Sequence, residues 1–272
     1  MVSNVIKIIV TGAAGRMGGR IITLVHGDDR LKLVGAVEQK GHQLTGSDVG
    51  LYLGLGETGV ILEDNLNNCI GRCDVVIDFS SHTASVEHLR IAADSDKAIV
   101  IGSTGLTPDE MEQVADISRG ARCVLAPNMS VGVNVMFKML KDMAGILGDG
   151  YDVEIIEAHH NQKKDAPSGT AVKMAQIIAQ ALDRDIDKVG VYGRRGMTGP
   201  RPDAEIGVHT VRAGDIVGEH TVIFGGMGER LEFTHRAHSR DNFAGGAIRA
   251  ATWIVDREKG LYDMQDVLGL QD

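Results

Sequence analysis

Val5-Ile-Lys-Ile-Ile-Val10-Thr-Gly12-Ala-Ala-Gly15-Arg-Met-Gly18-Gly-Arg-Ile-Ile-Thr-Leu-Val25 is the stretch on which the fold turns. Val5 to Val10 is a nearly unbroken apolar, β-branched run. That is the signature of a strand buried on both faces of a parallel sheet. Gly12, Gly15 and Gly18 follow at a strand-to-helix turn, and Ile21, Ile22 and Val25 give the next helix an apolar face. Glycine tolerates such a turn and lets backbone N–H groups approach an anion closely. The helix N-terminus adds unsatisfied donors and the positive end of its dipole. The spacing is G-x-x-G-x-x-G, not the commoner G-x-G-x-x-G, so the glycines by themselves are a weak signal and their position carries the reading.

Working outward, a second strand, Leu31–Val37, ends in Glu38, 20 residues after Gly18. A carboxylate that takes ribose hydroxyls is expected there. Asp74–Phe79 reads as a strand and Ala84–Ala93 as a helix. Ala98–Ile101 is a strand running into Gly102-Ser103-Thr104-Gly105, and Pro108 opens another helix with acids in its first turn. Arg122–Ala126 then leads to Pro127-Asn128-Met129. This β-α alternation predicts an α/β fold with a doubly wound, Rossmann-type parallel sheet, whose ligands sit at the carboxyl ends of the strands. The expected dinucleotide-binding residues are Gly12, Ala13, Ala14, Gly15, Arg16 and Met17 at the loop, and Glu38 and Gln39 at the ribose. Gly102, Ser103, Thr104, Ala126, Pro127, Asn128 and Met129 stand beside them. Glu38 favours a free 2′-hydroxyl and Lys40 suits a 2′-phosphate, so NADH and NADPH both stay open, with NADH favoured.

The 272 residues suit two modest domains or one large one, and 43% hydrophobic content is enough for a sizeable core. A net charge of −9 argues against broad contact with nucleic acid or an anionic membrane. Three cysteines, Cys69, Cys73 and Cys123, make no disulfide framework and suggest a reducing compartment. They read as buried thiols, and no metal site is expected. The opening Met1–Gly12 is too short in apolar run for a secretory leader and nothing reaches membrane-span length, so a cytoplasmic protein is expected.

The second half is read as strand, helix and anion pocket. Asn134–Leu147 is an amphipathic helix with Val135, Met139, Met143 and Ile146 along one side; Asp152–His159 is a strand. His159 and His160 point to opposite faces, which disfavours a shared metal. Lys163 and Lys164 follow. Asp165 and Pro167 mark a helix start with Ser168-Gly169-Thr170 in its first turn, a second helix-end anion site flanked by cations. A phosphate or a carboxylate suits it. The alternative is a self-capped helix with solvated lysines. Glu205–Arg212, Glu219–Phe224 and Arg230–His235 read as strands, and Gly245–Val255 as a helix. His26, His42, His82 and His88 read as surface or loop residues, and His220, His235 and His238 as non-metal histidines.

The run Glu157-Ala-His-His…Lys163…Asp165-Ala-Pro-Ser-Gly-Thr170 resembles the signature of the 4-hydroxy-tetrahydrodipicolinate (dihydrodipicolinate) reductase family. Gly12–Gly18, Gly102–Gly105, Ala126–Asn134 and Val211–His220 agree with it in order, along almost the whole chain. The resemblance implies a cofactor domain of residues 1–129 plus 241–272. It also implies a substrate-binding and oligomerising α+β domain on an open mixed sheet, residues 130–240, and a homotetramer. The implied reaction is NAD(P)H-dependent reduction of a cyclic dicarboxylate imine on the diaminopimelate route to lysine. Its hydroxyl leaves as water, a hydride goes to ring C4 and a proton to a neighbouring carbon. His159 and Lys163 are then the catalytic pair, and His160, Ser168, Gly169, Thr170 and Arg240 hold the substrate. Two positions depart from the family pattern: Gln39 stands where an arginine occurs, and Met129 where an aromatic is common. The rival readings are a non-catalytic NAD(P)-sensing regulator, which has no need of His159 and Lys163, and a nicotinamide oxidoreductase acting on another small carboxylate.

Overall fold

The computed structural model describes residues 5–271; the first four residues of the opening stretch and Asp272 lie outside them. The chain forms two compact units, one running to Val131 and resuming at Arg240, the other spanning Gly132–Ser239.

The first unit contains, in order, β1 (Ile6–Thr11), α1 (Arg16–His26), β2 (Leu31–Val37), α2 (Val49–Leu53), β3 (Leu62–Glu63), β4 (Val75–Asp78), α3 (His82–Asp94), β5 (Ala98–Ile101), α4 (Pro108–Ser118) and β6 (Arg122–Leu125). The seventh strand of its sheet comes from the C-terminal segment. Strand order is β12-β6-β5-β4-β1-β2-β3, and every pair is parallel. Alternate residues of each central strand enter different cores, as a period of two requires. Ile8, Val10, Val75 and Ile77 join one, while Ile9, Val76 and Ile99 join the other. Both faces are therefore buried, which is why these strands read as continuous apolar runs. The glycine loop leaves β1 where the strand order reverses, the place where open α/β sheets hold ligands.

The thiols of Cys69, Cys73 and Cys123 are buried and free. The second core packs around all three. Burial pushes Cys69 up to about 11 and Cys73 up to about 12.

In the second unit come α5 (Val131–Leu147), whose first residue belongs to the other unit, then β7 (Asp152–His159), α6 (Gly169–Ala181), α7 (Ile186–Val189), β8 (Gly190–Val191), β9 (Ile206–Arg212), β10 (Gly218–Gly226) and β11 (Glu229–Ala237). Their sheet runs β11-β10-β7-β9-β8, antiparallel at β10 and parallel across β7, β9 and β8. Met136, Leu140 and Ala144 of α5 and Met174 and Ile178 of α6 pack on Val153, Ile155, Val208, Val222 and Phe224. The face of α5 turned inward is not the expected one. Val135, Met139 and Ile146 are exposed, and the 133/136/140/144 stripe is buried. A helix apolar on both stripes carries no sequence signal for which side the sheet will cover.

The other face of this sheet carries charge. Glu154 accepts from Arg194 at 2.7 Å, Arg201 at 3.0 Å and His209 at 2.7 Å. Arg194 also pairs with Glu205, and Arg201 with Asp152. The strand residue beside this carboxylate is Gly207, where an added Cβ would lie 1.8 Å from Glu154 Oε2.

The chain returns to the first unit through α8 (Asp241–Ile254), followed by β12 (Gly260–Tyr262) and α9 (Met264–Leu268). The last two elements had no expectation attached. Small residues, Ala244, Gly246, Ala247 and Ala250, let α8 pack closely; a Cβ on Gly246 would sit 1.8 Å from the Met129 carbonyl oxygen.

Candidate active site

The glycine loop is shaped by close approach. Gly12 has φ +69°, and a Cβ there would meet the Phe79 carbonyl oxygen at 2.4 Å; one on Gly18 would meet the Gly12 oxygen at 2.2 Å. Neither position admits a side chain. Gly15 is the N-cap of α1 and offers no side-chain acceptor, so the first-turn N–H groups are left for a ligand. Ala13 is buried, donates to the Val37 carbonyl at 3.1 Å and accepts from Tyr52 Oη at 2.9 Å. Glu38 is held by two backbone donors, Ala14 at 3.2 Å and Gln39 at 2.9 Å.

Gly12, Gly15, Glu38, Gln39 and Lys40 line a cleft of about 650 Å³ with Phe79, Ser80, Ser81, Ala84, His88 and the 64–67 turn. Anion donors at one end and a hydroxyl-accepting carboxylate further along fit a dinucleotide. Gly102–Thr104 and Ala126–Met129 do not line this cleft. They follow β5 and β6 at the same carboxyl edge of the sheet. Ser103 is buried and accepts from Ser85 Oγ at 2.8 Å, and the Met129 side chain belongs to the core. What these two offer the edge is backbone.

His88 corrects its expectation as a surface residue. Its Nδ1 lies 2.7 Å from Asp78 Oδ2, and Asp78, fully buried, also takes the Ser80 N–H at 2.8 Å and hydroxyl at 2.6 Å. Burial would raise the Asp78 pKa, but His88 and Ser80 hold it below the usual carboxylate range.

In the second unit the sheet itself builds the site. On the helix-covered face β7 runs Val153, Ile155, Glu157, His159, so the apolar stripe turns polar at its carboxyl end. Register places Thr210 of β9 and His220 of β10 beside Glu157, and Arg212 beside His159. Glu157 is completely buried. It accepts from His159 Nδ1 at 2.6 Å, from two Arg212 nitrogens at 2.8 Å, from the Ser168 N–H at 3.0 Å and from Thr210 Oγ1 at 3.2 Å. Burial opposes its charge, but Arg212, His159 and Ser168 outweigh burial and bring its pKa to about 2. Neither Glu157 nor Arg212 was singled out as a site residue. The signal was there, because the period of two puts Glu157 on the face of His159.

His159 is mostly buried, with its ring edge-on to His220 at 5.2 Å. Gly218 makes room for it: a Cβ there would lie 3.1 Å from His159 Nε2. Burial lowers the His159 pKa, Glu157 opposes that, and the charges of Lys163 and Arg212 add to the lowering. Lys163 is thus near enough to be felt electrostatically, and its Nζ pairs with Asp165 at 2.8 Å. His160 lies just past the end of β7, and its carbonyl takes the Lys163 N–H at 3.2 Å.

Ser168 is the N-cap of α6, one residue before the first turn. Its Oγ accepts from Ala171 N at 3.2 Å and lies 3.0 Å from His220 Nε2, and the residue is 2% exposed. That hydroxyl caps the helix and contacts His220. Gly169 is exposed and Thr170 half-buried at the helix end. His220, read from the sequence as a non-metal histidine, is buried; burial takes its pKa down to about 3. Arg240 is the N-cap residue of α8 in the first unit.

A nucleotide cradle in one unit and, in the other, a buried acid–imidazole pair beside a lysine and a helix N-terminus are the parts of a small-molecule reductase. Two family models match in tandem: dihydrodipicolinate reductase, N-terminus, over residues 6–129, and dihydrodipicolinate reductase, C-terminus, over residues 132–268. The chain belongs to the dihydrodipicolinate reductase family. The 4-hydroxy-tetrahydrodipicolinate reductase of Syntrophus aciditrophicus (strain SB) is 59% identical over 266 residues, covering 98% of this chain and 99% of that one. That of Geobacter sp. (strain M21) is 55% identical, covering 98% and 100%. A solved dipicolinate-bound dihydrodipicolinate reductase from Paenisporosarcina sp. TG-14 superposes with a TM-score of 0.74 at 26% identity, over 96% of this chain and 98% of that one. These matches carry the doubly wound sheet and the mixed second sheet as family architecture.

Proposed function

We propose that this protein reduces 4-hydroxy-tetrahydrodipicolinate to tetrahydrodipicolinate with a reduced nicotinamide dinucleotide, in the diaminopimelate route to lysine. The observation that carries the proposal is the buried Glu157–His159 pair with Lys163 beside it, in a chain that aligns end to end with reductases of that name.

A reduced nicotinamide supplies the hydride when the dinucleotide is bound. Gly12, Ala13, Ala14, Gly15, Arg16 and Met17 hold its phosphates, Glu38 and Gln39 its ribose end, and Gly102–Thr104 and Ala126–Met129 the rest of that edge. No cation replaces Gln39 in the sequence, and Glu38 is pinned where a 2′-phosphate would be repelled, so NADH is the favoured cofactor and NADPH is accepted less well.

His159 donates the proton that completes the reduction, and an imidazole exchanges it near neutral pH. Lys163 activates the substrate and balances a carboxylate, with His160 and Arg240 as further cationic or hydrogen-bonding contacts. Gly169 and Thr170 receive a substrate carboxylate at the α6 N-terminus. Ser168 shapes that turn through its cap. The homotetramer is proposed to assemble through the second unit. Among the described residues no helix is long and apolar enough to cross a membrane, and a cytoplasmic location is proposed.

The test is dinucleotide oxidation with substrate generated in place from pyruvate and aspartate semialdehyde by its synthase, with NADH and NADPH in parallel. Substrate-dependent oxidation, faster with NADH, is the expected result. Folded protein that binds NADH tightly and oxidises neither cofactor would move the reading to a nucleotide sensor. Light scattering on the same sample checks the tetramer.

A further inference from the structure

Glu157 is buried at a position where an apolar side chain would satisfy the fold, as Val153 and Ile155 do on the same face of β7. Burying a carboxylate is costly unless donors converge on it. Four do so from Arg212, Ser168 and Thr210, on β9 and at the α6 cap, and they hold both oxygens in place. The fifth bond, at 2.6 Å, goes to His159 Nδ1. An ionised carboxylate only accepts, so Nδ1 carries a hydrogen and Nε2 is the nitrogen left to exchange one.

We infer that Glu157 is the positioning residue of the proton donor, fixing His159 in its Nδ1–H form and leaving Nε2 to deliver the proton. This rests on the reading of His159 as the acid. Before transfer the ring is an imidazolium with both nitrogens protonated, beside the Glu157 carboxylate. After transfer Nε2 is bare, the proton has gone to substrate carbon, and the Nδ1–H bond to Glu157 persists. The groups that face the ring are Glu157 on β7, Lys163 in the following loop, Arg212 on β9 and His220 on β10; α6 contributes the uncharged Ser168. Three of these four disfavour the imidazolium or are uncharged. Glu157 is the group that opposes burial and the two cations. Without it the ring would hold its proton only at lower pH still.

The experiment is nitrogen NMR of histidine-labelled protein together with the pH profile of kcat/KM. In wild-type protein the neutral His159 ring is expected to be protonated at Nδ1. In Glu157→Gln the imidazole titration is expected to fall by about one to three pH units, the size of effect of a close opposite charge. The alkaline limb of kcat/KM should move down with it, and kcat at pH 7 should drop about tenfold or more while the KM for NADH holds. An Nε2–H ring in wild-type protein overturns the inference, and that measurement needs no variant to fold. An unmoved imidazole titration in folded Glu157→Gln overturns it too. A moved titration with an unmoved rate profile would leave the positioning intact and strike out His159 as the acid, which separates failure of the proposed function from failure of this inference.

Discussion

Lys163 has a mostly exposed partner, Asp165, and lies in a turn with no core role. Replacing it by alanine therefore tests chemistry with little structural confusion. Lys163→Ala should cut kcat by about 10²- to 10⁴-fold, the usual contribution of a proton-transfer group, with NADH affinity unchanged by titration calorimetry. Gln39 belongs to the same scale. Gln39→Arg adds a planar cation beside the pinned Glu38 and should raise the NADPH-to-NADH ratio of kcat/KM about tenfold or more, the worth of one charge-assisted hydrogen bond. Steady-state kinetics with both cofactors checks it. Glu38 was legible as a cleft residue because a glycine loop fixes where the following strand ends. His88 was not: its partner Asp78 lies 10 residues away on another element, and only the packing of α3 against β4 joins them. Glu157 falls between these cases, since alternation along β7 gives its face but not the four donors that arrive from β9 and α6.

The caps decide behaviour at the level of elements. Ser168→Ala removes the α6 cap and the hydroxyl beside His220 Nε2 together. About 1 to 2 kcal/mol of stability should be lost, read from denaturant midpoints at constant slope. If the mark is instead a large rise in KM with stability intact, the hydroxyl is a ligand and not a cap. Long, periodic elements were readable. β7 and the strands at 206–212, 218–226 and 229–237 fall within two residues of their expected spans. The four-residue strands β4, β5 and β6 were readable as unbroken apolar runs, but α2, β3, β12 and α9 were not, because they hold too few residues to show a period and owe their shape to neighbours. Asp48 illustrates this: its carboxylate takes backbone N–H groups of Gly50, Leu51, Thr58 and Gly59, closing a loop that no local pattern announces. The face of α5 was misjudged for the same reason, since the sheet selects one of two apolar stripes.

Over the whole molecule, buried histidines set the acid limb of stability. His220 stays neutral in the fold down to about pH 3, against an ordinary value of 6.5, and burial lowers His159 and His235 as well. A depressed folded value means that stability is complete above pH 6.5 and is lost as pH falls through that value toward 3. The slope is up to about 1.4 kcal/mol per pH unit for each fully shifted group. Carboxylates such as Glu157 add to the loss only below about pH 4.5, where the unfolded chain begins to bind their protons. Melting temperatures should thus decline steadily between pH 6.5 and 4.5, and His220→Gln should flatten that decline; an equal slope in both proteins would remove His220 as its source. The doubly wound layout was legible because every central strand is buried twice over, whereas the charged face of the second sheet draws its partners from a segment without regular structure, 192–205. That segment is fastened to the sheet chiefly through one carboxylate, Glu154, which lies flat only because Gly207 has no side chain. The missing methyl group works as an eyelet: fill it, and the stitch holding some fourteen residues has nowhere to pass, so a Gly207→Ala chain should be nicked by protease within that loop while the rest of the fold stands.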